Sequence, residues 1–364
     1  MPSFKDSITS AVTACVSRRL VPRIVPPGST IGVVAPSSGI AAFCPQRFDR
    51  GVAALERLGY RIREGATART KSVLEYSSAS PQQRAEDLNE MFGNQDIDAI
   101  MTTIGGYAVN HILDYLDLGV IARNPKFLFG YSDTTLLQAA LWQAVGLTSV
   151  AGPALLPQFG EFSEPHPFTR EAFLRIAAVA EPFGALPVSP TTVTEINRWD
   201  VDDDHMREEL PTNGWRVILQ GEAEGWLAPV NIESLLALSG TDWFPDLDGA
   251  LLILEAAETT SAARFHQGLC QLRQMGAFRR VKALILGRFD PRSDCSPRVL
   301  DAIILESLLG SNMPVVSDID YGHTDPLLSL PWGVMGSVTA GAQGAEIVIK
   351  EAAGQSWPST ADGS

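Results

Sequence analysis

Cysteine is scarce in this sequence. The 364 residues include only Cys15, Cys44, Cys270 and Cys295, with no C-x-x-C pair and none beside a histidine at metal-ligand spacing. Such a set argues against a zinc module or a disulfide framework and reads as free thiols in a reducing compartment. No run of about 20 apolar residues occurs, so no membrane-spanning helix is expected. Positive charge is also short, 28 Lys and Arg against 42 Asp and Glu, for a net charge of -14. That balance argues against a nucleic-acid polymer or an anionic membrane as partner, while a nucleotide-sized ligand needs only a local site. Neither an internal repeat nor a low-complexity tract is present. The N-terminal stretch lacks a continuous apolar segment ahead of a small-residue cleavage site, which points to the cytoplasm. Its Ser and Arg content suits a transit peptide only faintly, and residues 1–27 are read as a tail.

What is there is an ordinary globular composition, 45% hydrophobic, in a chain long enough for two domains. From Thr30 short apolar runs alternate with helical spacing. "TIGVVAPSSG", "YRIREG", "IDAIMTTIGG", "KFLFG" and "LTSVAG" read as strands, each at least in its apolar part. "PQRFDRGVAALERLGY", "SPQQRAEDLNEMFGN" with Ser80 as N-cap, "NHILDYLDLGVIA" and "TTLLQAALWQAVG" read as helices. The alternation predicts an α/β domain over 28–165, a parallel sheet covered on both faces, with ligands beyond the carboxyl ends of its strands. The loops "APSSG", "TIGGYA" and "GYSDTT" follow strands and are the ones to watch. The proline-rich stretch from Pro153 to Asp204 has no sustained period; a linker or loop is expected over 166–205. "NRWDVDDDHMREELPTNGW" reads as a solvated acidic loop. From Arg216 the pattern is that of a second, β-rich α+β domain, bounded at 206–364.

Ser132 lies where an apolar strand ends at a glycine and a helix begins. A hydroxyl on such a turn sits near the positive end of a helix dipole and suits a nucleophile. The same Ser before Asp-Thr-Thr is equally an ordinary N-cap, and the last glycine of G-x-S-x-G is absent. A serine nucleophile needs a base held by an acid. Of the five histidines, His111 and His266 fall in helical patterns and His166 and His205 in irregular segments. His323 follows an apolar strand and a glycine in "SDIDYGHTDP", either a presented base or a surface-loop histidine. Glu255 closes the apolar run "GALLILE", where a carboxylate is costly without a partner; Glu258 is an equal candidate. For an oxyanion hole the amide of Asp133 is one donor, and Gly105 and Gly106 in "IGGY" allow another, although a Gly-Gly pair could as well cradle a phosphate.

Taken together, "VAPSSG", "TTIGGYAVNHILDYLD", "PKFLFGYSDTTLL" and "AGPALLPQFGE" resemble the N-terminal half of the LD-carboxypeptidase family of serine peptidases. "GWLAPVNIESLLALSGTDWFPDLDGALLILE", "QLRQMGAFRRVKALILGRF" and "PVVSDIDYGHTDPLLSLPWG" resemble its C-terminal half. The resemblance implies a flavodoxin-like N-terminal domain, a β-rich C-terminal domain and usually a homodimer. It places the nucleophile at Ser132, the acid at Glu255, the base at His323, and the oxyanion donors at Gly106 and Asp133. No metal or cofactor is implied.

The family divides into murein-tetrapeptide carboxypeptidases and a microcin C immunity branch that cleaves an aminoacyl or peptidyl group from a nucleotide-like part. The long segment around "NRWDVDDDHMREELPTNGW" resembles the immunity branch. Trp199, Trp215 or Trp226 could stack on a base or serve only core or interface packing; Trp199 and Trp226 are placed with Tyr107 as substrate-binding. Two departures stand near the expected pocket: Ala228 and Pro229 replace a common Gly-Gly, and Ala108 a common glycine. The expectation is thus a serine carboxypeptidase or amidase acting on a small amide-linked substrate. A non-catalytic protein that sequesters a nucleotide-like ligand is the rival of another class. A glutamine amidotransferase-like enzyme would need a cysteine where Ser132 stands.

Overall fold

A computed structural model describes residues 19–193, 195 and 197–357. Cys15 and residues 1–18 of the expected tail lie outside the described residues. Residues 19–27 run along the body: Leu20 bridges Leu147, Arg23 bridges Gln355, and Val25 is fully buried.

Five short strands, β1 (Thr30–Val34), β2 (Arg61–Glu64), β3 (Ala99–Thr102), β4 (Phe127–Gly130) and β5 (Val150–Ala151), form a parallel sheet in the order β2-β1-β3-β4-β5. That is the flavodoxin-like order, in which the chain reverses between β1 and β3 and leaves a crevice at their carboxyl ends. β1, β3, β4 and β5 are nearly continuous apolar runs because helices cover both faces, whereas the edge strand β2, RIRE, is largely exposed. Those helices are α1 (Pro45–Arg57), α2 (Pro81–Gly93), α3 (Leu118–Arg123) and α4 (Thr134–Val145). Ser80 caps α2 as expected, and Gln83 completes a capping box. "NHILDYLDLGVIA" is not one helix. A 3-10 segment, Val109–Tyr115, ends before Asp117, whose side chain caps α3 as a separate unit.

The proline-rich stretch is less irregular than its sequence suggests. It contains α5 (Pro167–Ala178), started by proline at its first position and buried along Thr169, Ala172, Phe173 and Ile176. The short strands β6 (Gly184–Ala185), β7 (Thr191–Val193) and β8 (Glu209–Pro211) follow.

The C-terminal part is built on β9 (Arg216–Leu219), β10 (Gly221–Asn231), β11 (Ala250–Glu255), β12 (Ala283–Gly287) and β13 (Val315–Ile319), with α6 (Ile232–Ala237), α7 (Ala262–Gln274) and α8 (Pro297–Ser307) between them. β10 to β13 are parallel neighbours. After β14 (Leu330–Pro331), β15 (Met335–Gly341) and β16 (Gly344–Ile349) extend the sheet antiparallel. β14 itself crosses over and pairs with β5 of the first sheet. Proline at 229 is tolerated within β10 for a definable reason. The amide of Leu227 points toward the β15 side and bonds Val334, so position 229 points the same way, beyond the last β15 pair at Trp226 and Met335.

Candidate active site

Ser132 sits between β4 and α4 with a φ of +59°, a left-handed conformation that a side-chain-bearing residue rarely adopts. The turn that imposes it is tight. A Cβ on Gly130 would lie 2.2 Å from Thr102 Oγ1, and one on Gly105 would lie 2.8 Å from Ser132 Cβ. The hydroxyl is not a helix cap. Asp133 holds the N-cap position, and Thr135 donates its amide and its hydroxyl to the Ser132 carbonyl at 2.9 and 2.6 Å.

The Ser132 side chain instead meets His323, with Oγ 3.0 Å from Nε2, while His323 Nδ1 is 2.6 Å from Glu255 Oε2. The three positions come from the carboxyl ends of β4, β11 and the loop after β13. Glu255 is 1% exposed at the last position of β11. Glycines let the histidine loop close on it: a Cβ on Gly322, at φ +116°, would stand 2.9 Å from Glu255 Cβ, and one on Gly287 would stand 2.3 Å from the Tyr321 carbonyl. Burial works to lower the His323 pKa, but the charge and hydrogen bond of Glu255 outweigh it, Glu258 and Glu233 add to them, and the imidazole is held at about 9. Tyr131 sets its ring edge-on to the imidazole at 5.2 Å.

The backbone amides of Gly106 and Asp133, both residues bordering the same cavity as Ser132, donate to no group among the described residues. Gly106 has a φ of +146°, and a Cβ there would fall 2.6 Å from Ser37 Oγ. The loop that carries it is held from two sides. Asp133 Oδ2, buried, accepts from Ser37 Oγ at 2.5 Å, from the Ala108 amide at 2.8 Å and from the Val109 amide at 3.0 Å. Arg84, 1% exposed, donates to the carbonyls of Pro36, Ala79 and Ala108. Burial lowers the Arg84 pKa, and the charge of Asp133 opposes that. Ala108 serves this purpose without glycine, since its φ is -127°.

A cavity of about 610 Å³ opens over Ser132, within the range of ligand sites. Tyr107 and Trp199 border it, as do Asn231 and Ser234 from the β10–α6 turn. That turn docks on the serine turn through Asn231 N to Thr135 Oγ1 at 3.0 Å and Ser234 Oγ to the Ser132 carbonyl at 3.3 Å. Trp226 does not border the cavity, which corrects its expected substrate-binding role. It lies five residues before Asn231 on β10, roughly 16 Å away at about 3.3 Å per residue, and stacks between Trp142 at 5.2 Å and Trp332 at 6.4 Å. Trp215 is engaged with Asp320. His111, His166, His205 and His266 do not border this cavity.

The acidic segment is only partly solvated. Trp199 lies over the guanidinium of Arg47 at 4.4 Å, and Arg47 is bound by Glu161 and Asp203. Arg207 bridges Glu161 and Asp325, each at 2.7 Å, and so ties the segment to the loop that carries His323. Sequence reasoning missed Ser37, Arg84, Arg47 and Arg207. For Asp133 it found the amide but not the carboxylate. No helix among the described residues is long and apolar enough to cross a membrane.

Comparison with known proteins identifies the family. Residues 31–152 match the LD-carboxypeptidase N-terminal domain and residues 224–338 the LD-carboxypeptidase C-terminal domain. The chain is 33% identical to the Microcin C7 self-immunity protein MccF of Escherichia coli, over 84% of this chain and 89% of that one. It is 27% identical to the murein tetrapeptide carboxypeptidase of Pseudomonas aeruginosa, over 83% and 91%. A solved structure of MccF in complex with glutamyl sulfamoyl guanosine is similar with a TM-score of 0.84 at 30% identity, covering 92% of this chain and 99% of that one. The chain therefore belongs to the LD-carboxypeptidase family and is a serine carboxypeptidase.

Proposed function

We propose that Ser132, His323 and Glu255 are a catalytic triad and that the substrate is a small amide-linked aminoacyl- or peptidyl-nucleotide. The observation that carries the reading is the unbroken hydrogen-bonded chain from Ser132 Oγ through His323 to Glu255, starting at a serine with positive φ. His323 Nε2 takes the hydroxyl proton as Oγ attacks the amide carbonyl. Glu255 holds Nδ1–H and stabilises the imidazolium, which then protonates the leaving nitrogen. The amides of Gly106 and Asp133 receive the oxyanion, each such donor contributing roughly 3–4 kcal/mol to the barrier. Water, deprotonated by the same histidine, releases the acyl-enzyme.

The nucleotide part of the reading is supported by Trp199 and Tyr107, which offer aromatic faces on the same cavity. It is also supported by likeness to a protein solved with a nucleoside sulfamate. A cytoplasmic homodimer with a self-immunity role is proposed on that likeness. The test is mass-spectrometric hydrolysis of an aminoacyl sulfamoyl adenylate and an L,D-linked murein tetrapeptide, by wild type and Ser132→Ala. Cleavage of the adenylate by wild type alone is expected. Cleavage of only the tetrapeptide refutes the substrate class, and turnover by Ser132→Ala refutes the triad.

A further inference from the structure

The two walls of the cavity over Ser132 differ in charge. On the side of the first sheet it is bordered by Ile40, Ile104, Tyr107, Pro157 and Trp199, and the one charged group there, Asp133, is engaged by the Gly106 loop. On the side of the second sheet stand Glu233, Glu258 and Arg264.

Glu233 is the second residue after β10, in the first turn of α6. Its Oε1 accepts from Thr260 Oγ1, and its Oε2 is shut off from solvent with no hydrogen-bond partner among the described residues. A buried carboxylate oxygen without a donor is costly unless a ligand supplies one. Among the described residues neither Glu233 nor Glu258 forms an ion pair with any Lys, Arg or His. Arg264 does not balance them. It is exposed and donates to Gln267, and Glu258 is exposed as well, within electrostatic reach of Arg292, so these charges act weakly through water, whereas Glu233 is half-buried with its Oε2 shielded from solvent. Both carboxylates also reach the chemistry, since each helps to raise the His323 pKa.

We propose that Glu233, with Glu258 beside it, is the specificity-determining residue for the acyl part of the substrate. It selects an aminoacyl group whose side chain ends in an ammonium and disfavours an acidic one. The assignment rests on Ser132 as the acyl acceptor. The aromatic wall opposite takes the nucleotide-like part, so the two halves of the substrate are sorted by the two sheets. An acidic acyl group, such as the glutamyl group in the complex of the related protein, would meet like charge here.

Lysyl, norleucyl and glutamyl sulfamoyl adenosine share the nucleoside, the sulfamate linkage and the α-amino group, and their unbranched side chains end in an ammonium, a methyl and a carboxylate. Their kcat/KM with the wild-type chain, and their affinities for Ser132→Ala by calorimetry, test the assignment. The expected order is lysyl, norleucyl, glutamyl, with about tenfold or more between the first and last, the factor that one charge-assisted hydrogen bond supplies. Glu233→Gln keeps an oxygen for Thr260 and is expected to bring the lysyl and norleucyl values together. Equal affinities, or a glutamyl preference, overturn the inference even if all three compounds are hydrolysed. The expected affinity order without hydrolysis by wild type upholds the inference and refutes the proposed function. Failure of all three to bind overturns both.

Discussion

Replacing Asp133 tests how the loop that carries Gly106 is held. Its carboxylate accepts from one hydroxyl and two amides, all buried, and it supplies the negative charge facing the buried Arg84. In Asp133→Asn one oxygen still accepts from these donors, but the bonds lose charge assistance, which about halves their strength. A loss of roughly 2 kcal/mol in stability is expected. In Asp133→Ala the Val109 amide is left without an acceptor, and the Ala108 amide keeps only its 3.2 Å bond to Ser37 Oγ. At about 1–3 kcal/mol for an orphaned donor, with the lost Ala108 bond added, the expected loss is roughly 3 kcal/mol. The backbone amide of residue 133 is present in both variants, so any effect on turnover comes through the Gly106 loop. A misplaced oxyanion donor costs about 100- to 1,000-fold in kcat. Urea unfolding monitored by fluorescence gives the stabilities, and single-turnover hydrolysis of an aminoacyl sulfamoyl adenylate gives the rates. The expected series is wild type, Asn, Ala in both measurements. Turnover within twofold of wild type in Asp133→Ala, in protein that remains folded, would refute the idea that this carboxylate positions the loop.

Four further outcomes are expected. The log of kcat/KM should rise with pH and level off near 9, because His323 must be neutral to accept a proton and its pKa is held at about 9; Glu258→Gln, by removing one negative charge, should move that limb to lower pH. The same shift, upward from 6.5, contributes stability that is fully present below pH 6.5 and is lost as pH rises through about 9, so thermal midpoints should fall across that window and fall less in His323→Gln. Gly322→Ala places a Cβ 2.9 Å from Glu255 Cβ at a φ of +116°, and should cost roughly 2–3 kcal/mol in denaturant unfolding and abolish turnover; full activity would mean that the histidine loop has another way to close. Arg207→Met leaves the carboxylates of Glu161 and Asp325 without their shared cation, and should lower stability by roughly 3 kcal/mol and slow turnover, whereas an unchanged unfolding midpoint would deny the link from the acidic segment to the His323 loop.

Much of the first sheet was legible because its signals are local. Each strand, the glycine that ends it and the helix start after it lie within about ten residues, and Ser80 with Gln83 announces α2 within one turn. The split of "NHILDYLDLGVIA" was also encoded, in Asp117 as a cap, but the continuous apolar spacing across it hid the break. Trp226 was misread because an aromatic side chain within a strand carries the same signal whether it packs on Trp142 and Trp332 or faces a ligand. Only the register of β10 separates the two, since it sets Asn231 rather than Trp226 opposite Glu255.

The rest of the site was not legible because it is made of pairs that sequence order does not join. Arg47 and Asp203 are 156 positions apart, and Arg207 and Asp325 are 118. Arg84 is ordinary on a helix of mixed polarity until the loops after β1 and β3 are folded over it, when it becomes a buried donor to both. The reason these pairs are needed follows from the geometry of the elbow. Ser132 is held at positive φ, and in the proposed mechanism Gly106 must stand close enough for its amide to share one oxygen with that of Asp133. Neither loop has a strand partner at that point to hold it. A charged side chain buried against carbonyls on one face, and a carboxylate collecting amides on the other, fix such a loop without a ladder. The same solution recurs at the His323 loop, where Arg207, Gln158 and the Val193 amide converge on Asp325. The proposed triad residues are thus readable at strand ends, and the groups that keep them in place are those whose partners come from another part of the chain.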